Sequence, residues 1–117
     1  MVKRVSIARR REGMSHAAFR AYPFRMHAPL SAQIQGTLGY RLQLLSHSDE
    51  TGWDAIAEMW FESEEAARAG LESEPIASKL KTDRPNLVSE VVAYYVLVAY
   101  YVHEEDVHVV LPPPPGW

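Results

Sequence analysis

The chain has 117 residues, enough for one domain with one hydrophobic core. A hydrophobic fraction of 47% and a charged fraction of 23% are typical of globular proteins and exclude wholesale disorder. The absence of cysteine excludes disulfides, thiolate nucleophiles and cysteine-ligated metal centres.

The charges are unevenly distributed along the chain. Residues 1–41 carry eight Lys or Arg against one acid, whereas residues 42–117 carry four against fourteen acids. A basic segment can bind nucleic acid, but this one has no interleaved aromatic residues and the net charge is −3. We therefore expect the two halves to pack together with their charges cancelling locally, and we expect no nucleic-acid partner.

Two segments bear on the cellular compartment. No apolar stretch of a signal peptide follows the five basic residues of Met1–Glu12, so we expect no secretory signal. The apolar run Val91–Val102 has twelve residues, whereas a membrane-spanning helix needs about 18 or more. Its β-branched and aromatic residues predict a strand buried on both faces. The sequence thus predicts a cytoplasmic protein with no membrane partner.

Alternation over Lys3–Arg10 predicts the first strand, with Val5 and Ile7 on one face and Arg4 and Ser6 on the other. A helix follows, which Ser15 caps. Its apolar stripe has a spacing of three or four residues. Two prolines should break or kink this helix near His27, and two later glycines should end it. The stripe consists of Phe19, Pro23, Met26, Leu30 and Ile34.

The second half of the chain predicts two more strands, two helices and a last extended region. In the second strand Tyr40, Leu42 and Leu44 share one face. In the third strand Glu58 and Trp60 share one face. Residues 83–86 should break the second of these helices. The predicted ranges are Gly39–Ser48, Asp54–Glu62, a helix from Ser63 to about Glu72, a helix from Pro75 to about Lys81, and a strand over Val91–Val102 that resumes near Val107–Leu111.

The resulting order, β-α-β-β-α-β, predicts an α+β, ferredoxin-like fold with an antiparallel sheet in the order 4-1-3-2 and both helices on one face. The third and fourth strands are apolar on both sides, so the other face of the sheet needs a cover. We expect a homodimer in which two sheets pack face to face, forming a dimeric α+β barrel.

Three segments carry a family resemblance. They are the opening RRREGMSHAAFRAY, the MHAPL of Met26–Leu30, and the AEMWFESEE of Ala57–Glu65. Together they resemble the EthD-like family of dimeric α+β barrel proteins. The resemblance implies one such domain over residues 1–111, followed by a Pro-rich tail at 112–117.

Related dimeric barrels include cofactor-free isomerases, cyclases, decarboxylases and monooxygenases. The resemblance therefore implies an enzyme without a cofactor that acts on a small cyclic or aromatic compound, such as a polyketide or lactone. General acid–base catalysis of isomerisation, cyclisation or decarboxylation is the chemistry it implies. The alternative is a non-catalytic protein of the same fold that binds a small molecule or serves as an accessory protein.

His27 and Tyr40 are the catalytic candidates. His27 lies at the edge of the apolar stripe, and imidazole titrates near neutral pH, so it suits a proton acceptor. Tyr40 opens the second strand and can donate to a developing oxyanion. The resemblance to muconolactone methylisomerase, which pairs a histidine and a tyrosine at these places, supports both. The alternatives are a histidine bonded to a backbone carbonyl near Pro29, and a half-buried structural tyrosine.

Glu58, Trp60 and Tyr22 are the substrate-binding candidates. Glu58 is the one charge within the third strand, so it is either functional or paired with an arginine. Trp60 offers a flat wall to a ring, or packs in the core. The possible partners of Glu58 are Arg4, Arg9 and Arg41. The acids and histidines of residues 103–108 alternate between strand faces, so we expect no metal site there.

Overall fold

The computed structural model describes residues 1–22 and 26–111, and a four-stranded antiparallel sheet forms its centre. The strands are β1 (Val2–Arg10), β2 (Gly39–Leu44), β3 (Ala55–Phe61) and β4 (Val88–Val96). Their order is β2-β3-β1-β4, and every neighbouring pair is antiparallel. The predicted strand order and the ferredoxin-like α+β fold are confirmed.

Five helices accompany the sheet within residues 1–22 and 26–111, and two of them begin at the predicted caps. The Ser15 Oγ accepts a hydrogen bond of 3.1 Å from the Ala18 amide, and the Ser63 Oγ accepts one of 3.0 Å from the Ala66 amide. Each bond satisfies an amide that the first helical turn leaves without a partner. The helices are α1 (His16–Tyr22), α2 (Ala28–Ser31), α3 (Ser48–Thr51), α4 (Glu64–Leu71) and α5 (Ile76–Leu87).

The predicted break near His27 falls beside residues 23–25, which lie outside the described residues, and His27 itself has helical backbone angles (φ −77°, ψ −46°). Helix α2 begins at Ala28 with Pro29 in its first turn, where a missing amide hydrogen costs no intrahelical bond. The region ends earlier than the glycines suggested, because α2 stops at Ser31. Met26 is 52% exposed, so its assignment to the apolar stripe is wrong. Pro23 of that stripe and the predicted tail at 112–117 lie outside the described residues.

Helix α5 corrects the predicted break at residues 83–86. It continues through Pro85 to Leu87. Proline lacks one amide hydrogen, but here it lies in the last turn, so the helix loses little beyond that single bond. The extension matters for function, because it makes Asp83 and Arg84 part of a helix that packs over the sheet.

The apolar run Val91–Val102 is not one strand buried on both faces. Strand β4 ends at Val96, and the chain then forms a separate hairpin of β5 (Ala99–His103) and β6 (Asp106–Leu111). Most large apolar side chains of this hairpin are more than half exposed in the single chain. They are Tyr100 (57%), Tyr101 (57%), Val102 (59%), Val107 (61%), Val109 (56%) and Val110 (55%).

The register of β1 sorts the sheet into two faces. Arg4 lies opposite Met59 of β3 and Tyr95 of β4, and Met59 lies opposite Tyr40 of β2. We call this the helix-facing side, because Met59 belongs to the core cluster that the helices cover. The other side, which we call the open face, carries Val5, Ile7, Ile56, Glu58, Trp60, Val92 and Tyr94.

Ion pairs join the basic first half of the chain to its acidic second half. Arg9 Nε lies 2.9 Å from Glu90 Oε2, and Arg10 Nη1 lies 2.9 Å from Asp54 Oδ1. The expected local cancellation of charge is thus confirmed for these residues. Within the described part of the chain, no helix is both long and apolar enough to cross a membrane.

Candidate functional site

A cavity of about 110 Å³ lies between the helix-facing side of the sheet and the helices. Its walls are mostly apolar, and a cavity of about 150 Å³ can hold one benzene molecule. At about 110 Å³ the space is smaller than that, so it can take no more than a small ring. The polar side chains that line it are Arg4, Ser6, His27, Ser31, Tyr40 and Arg84, and the larger apolar ones include Phe19, Ile34, Leu42, Met59, Leu80 and Leu87.

The His27 ring is held at this cavity by a carboxylate. Its Nδ1 lies 3.1 Å from Asp83 Oδ2, and the two side chains are 23% and 11% exposed. In a neutral imidazole only one nitrogen carries a proton. A carboxylate can only accept a hydrogen bond, so the contact with Asp83 assigns this proton to Nδ1, which donates the bond. The Nε2 lone pair is then available to accept a proton from a ligand. The alternative of a bond to a backbone carbonyl is not what the structure shows.

The Asp83 carboxylate has a second partner in Tyr22, whose hydroxyl donates to Oδ1. This hydrogen bond, together with burial and the negative charge of Asp83, raises the pKa of Tyr22. Tyr22 does not line the cavity, so the structure places it against Asp83 and not where a ligand in that cavity would contact it. Tyr22 and His27 thus fix both oxygens of one carboxylate.

Tyr40 lies in the same cavity as His27, as the sequence predicted. Burial raises the pKa of Tyr40, and a hydrogen bond with Ser31 opposes that shift. The phenol consequently stays protonated at neutral pH and can donate a hydrogen bond. The cavity therefore holds one proton acceptor and one neutral donor.

Glu58 and Trp60 lie on the open face, on the opposite side of the sheet from His27. Glu58 Oε1 is 3.3 Å from Lys3 Nζ and its Oε2 is 3.1 Å from Arg41 Nε. The same two cations lie over the Trp60 ring, at 5.2 and 5.4 Å from its centre. Of the three arginines predicted as possible partners of Glu58, Arg41 forms the ion pair. Because Glu58 and Trp60 lie on the opposite side of the sheet, a ligand in the His27 cavity cannot contact either of them.

The sequence interpretation missed three residues of the site: Arg4, Asp83 and Arg84. Two of them lie between Leu80 and Leu87, and the positions 80, 83, 84 and 87 form one face of a helix. That spacing was the available signal, and the assumed break at residues 83–86 concealed it. Met26 and Trp60 do not line the cavity, and Phe24 lies outside the described residues.

The acids and histidines of residues 103–108 lie at the tip of the β5–β6 hairpin, where His103 pairs with Asp106. In residues 1–22 and 26–111, no three His, Asp or Glu side chains lie close enough together to hold a metal ion.

A model of the EthD domain matches residues 11–91, well over half of the chain. The chain belongs to the EthD family. The resemblance predicted from the sequence is confirmed, and the match includes His27, Tyr40, Asp83 and Arg84. No curated protein matches the chain.

Solved structures of EthD and related proteins share the fold. An EthD family protein from Bacillus halodurans has a TM-score of 0.64 at 20% identity, over 82% of this chain and 96% of its own. A protein from Arabidopsis thaliana has the same TM-score and identity, over 82% and 93%. A dimeric ferredoxin-like protein of unknown function from Thermobifida fusca has a TM-score of 0.63 at 14% identity, over 81% and 88%. These identities show a common fold alone.

Proposed function

We propose that this EthD family protein is a cofactor-independent enzyme that moves a proton on a small cyclic or aromatic compound. Isomerisation and cyclisation of a polyketide- or lactone-like substrate begin with removal of such a proton, and decarboxylation ends with the delivery of one to carbon. The observation that carries the proposal is the His27 ring, bonded to Asp83 through Nδ1 and facing a cavity that also contains Tyr40.

The proposed step begins with a carbon-bound proton next to a carbonyl group. His27 Nε2 accepts that proton, and the electron pair moves into the carbonyl to give an enolate. Tyr40 donates a hydrogen bond to the enolate oxygen, and Asp83 stabilises the imidazolium. His27 then returns the proton to the same or another carbon, so the step needs no oxidant, reductant or metal.

The apolar walls support this chemistry in two ways. They give a ring a surface against which to pack, and they keep water away from the polar groups. In a site of low polarity, a hydrogen bond to developing charge is stronger than in water. The Tyr40 hydroxyl lies in such a site of low polarity, and its burial there raises its pKa.

We propose further that the protein works as a homodimer whose subunits meet at the open face. That face carries apolar side chains, and Tyr94 on it is 58% exposed. The β5–β6 hairpin pairs only with itself among the described strands, and an isolated hairpin is marginally stable in water. A second copy of the chain would cover both, and the Thermobifida relative is itself described as dimeric. An interface of this kind should bury about 2,000 Å² or more.

The alternative function is binding without catalysis, as a carrier or accessory protein. The same cavity supports it, because fold and pocket do not by themselves establish chemistry. The two functions differ in whether a bound compound exchanges carbon-bound protons with solvent.

Deuterium exchange separates these alternatives without knowledge of the product. Small cyclic ketones and lactones are incubated with the protein in D₂O, and the C–H signals next to the carbonyl are followed by proton NMR. We expect the protein to accelerate exchange, His27→Ala to reduce that acceleration by about 10²–10⁴-fold, and Tyr40→Phe to reduce it by about 10²–10³-fold.

His47→Asn is the matched control, because His47 is 72% exposed and lies outside the cavity. Its φ of 58° is one that asparagine adopts readily. This variant should keep full activity. Binding of a compound in the cavity without exchange of its protons would favour the non-catalytic alternative. Full exchange in His27→Ala would remove His27 from the mechanism.

A further inference from the structure

Two arginines line the cavity without an acid to balance them. Arg4 projects from the middle of β1 on the helix-facing side, and Arg84 projects from α5. None of the residues that line the cavity is Asp or Glu. Within residues 1–22 and 26–111, neither arginine lies within 4.0 Å of a carboxylate, whereas Arg9, Arg10 and Arg41 all form ion pairs.

The nearest acid along the chain does not compensate them. Asp83 precedes Arg84 in α5, but its two oxygens bind Tyr22 and His27. Successive helical residues point about 100° apart, so one helix presents the acid to His27 and the base to the cavity. On the sheet, the neighbour of Arg4 is the hydroxyl of Tyr95.

Leaving Arg4 without a counter-ion costs stability, because its side chain is partly buried. Burial lowers the pKa of Arg4, and the positive charge of Arg84 lowers it further, while Tyr95 acts against both. A guanidinium in a partly apolar cavity is stabilised when an anion binds to it, and its planar fork matches a carboxylate through two parallel hydrogen bonds. The pair is therefore arranged for an anion that comes from outside the chain.

We propose that Arg4 and Arg84 bind a carboxylate on the ligand, so that the substrate class is a small cyclic or aromatic carboxylic acid. The inference rests on the proposed function only in taking the same cavity as the ligand site. Both arginines line the cavity, and Arg84 is exposed, whereas Arg4 is partly buried. The carboxylate would enter past Arg84 and leave its ring against the apolar walls, with His27 and Tyr40 in the same space.

The test compares benzoate with benzamide, a neutral molecule of nearly the same shape. Each is titrated into the full-length protein, and the dissociation constant is measured from NMR chemical shifts. We expect benzoate to bind at least about tenfold more tightly than benzamide. Arg4→Gln and Arg84→Gln should each weaken benzoate binding by about tenfold and leave benzamide binding unchanged.

Arg20→Gln is the matched control, since it removes the same charge from an exposed position on α1 that does not line the cavity. It should leave the preference for benzoate intact. The exchange assay with neutral ketones and lactones tests the catalysis without the anion site, so a failure of the anion site and a failure of the proposed catalysis can be told apart.

Thermal unfolding distinguishes an anion-binding role of Arg4 from a purely structural one. Arg4→Met removes the charge and keeps much of the side-chain volume, so it should raise the unfolding temperature of the ligand-free protein while abolishing the preference for benzoate. Equal affinity for benzoate and benzamide, or no binding of either, would overturn the proposal. So would variants that weaken both ligands equally. Tighter binding of phenyl phosphate than of benzoate through the same arginines would replace the carboxylate with a phosphate and overturn the assigned substrate class.

Discussion

The two faces of the sheet differ in whether their charged residues form ion pairs. On the open face, Glu58 lies between Lys3 and Arg41, and both cations also contact Trp60. On the helix-facing side, Arg4 has no carboxylate partner among the described residues. Charges that satisfy one another stabilise the fold, whereas a charge left unpaired beside a cavity indicates a ligand.

Strand β1 shows the contrast within a few residues. Its apolar Val5 and Ile7 point to the open face, while Arg4, Ser6 and Ala8 point to the helices and line the cavity. A single-chain protein would turn its apolar residues towards its own helices. The reversed arrangement is explained if the open face is covered by a second subunit and the helix-facing side holds a ligand.

The largest effect outside the experiments above is expected for Asp83→Asn. The amide keeps the shape of the side chain but loses the charge that stabilises the His27 imidazolium. Loss of a hydrogen bond to a charged group should reduce exchange activity by about 10- to 100-fold. Tyr22→Phe should have a smaller effect, because Asp83 then still binds His27. Equal losses in the two variants would indicate that both act only through stability, which thermal unfolding would reveal.

The open face is tested by Tyr94→Glu. A charge buried in an interface at the open face should raise the dimer dissociation constant by at least about tenfold, as measured by sedimentation equilibrium. Benzoate affinity should stay within about twofold, because Tyr94 lies on the side of the sheet opposite the cavity. A wild-type protein that is a stable monomer at micromolar concentration would refute the dimer.

The smallest effect on ligand binding is expected for Asp54→Asn, at the ends of β1 and β3. Burial alone would raise the pKa of Asp54, but hydrogen bonds from the Arg10 amide and guanidinium outweigh it and lower the pKa. The variant should lose about 1.5–3 kcal/mol of unfolding free energy at neutral pH. Because the folded-state pKa is lowered, the stabilisation is present above the ordinary carboxyl value of 3.8 and is lost as the pH falls through the lowered value.

Denaturant unfolding between pH 3 and pH 7 checks this prediction. The difference between wild type and Asp54→Asn should be constant above about pH 5 and shrink below pH 4. Benzoate affinity should not change, because neither Arg10 nor Asp54 lines the cavity. A difference that grows at low pH would contradict the assigned direction of the pKa shift.

Much of the fold could be predicted because its signals are local. Alternation assigned the first three strands and their faces, and Ser15 and Ser63 marked two helix starts through hydrogen bonds within one turn. The predicted breaks near His27 and at residues 83–86 both rested on the rule that proline interrupts a helix. The same rule failed at Pro85, because the effect of a proline depends on its distance from the helix end, which the sequence does not show.

The site was harder to predict because it depends on contacts between distant elements. His27 and Tyr40 were placed together correctly. Glu58 and Trp60 were correctly assigned to one face of β3, but that strand is apolar on both sides, so nothing in its pattern showed which face meets the helices. Asp83 lies 56 residues from His27 along the chain, and only the packing of α5 brings the two side chains together.

The most direct test of the account is a crystal structure of the protein with benzoate bound. The account predicts a benzoate between the helices and the sheet, its carboxylate on Arg4 and Arg84 and its ring beside His27 and Tyr40, with the open faces of two subunits in contact. Benzoate bound at Glu58 and Trp60 on the open face, with the His27 cavity left without it, would contradict the account.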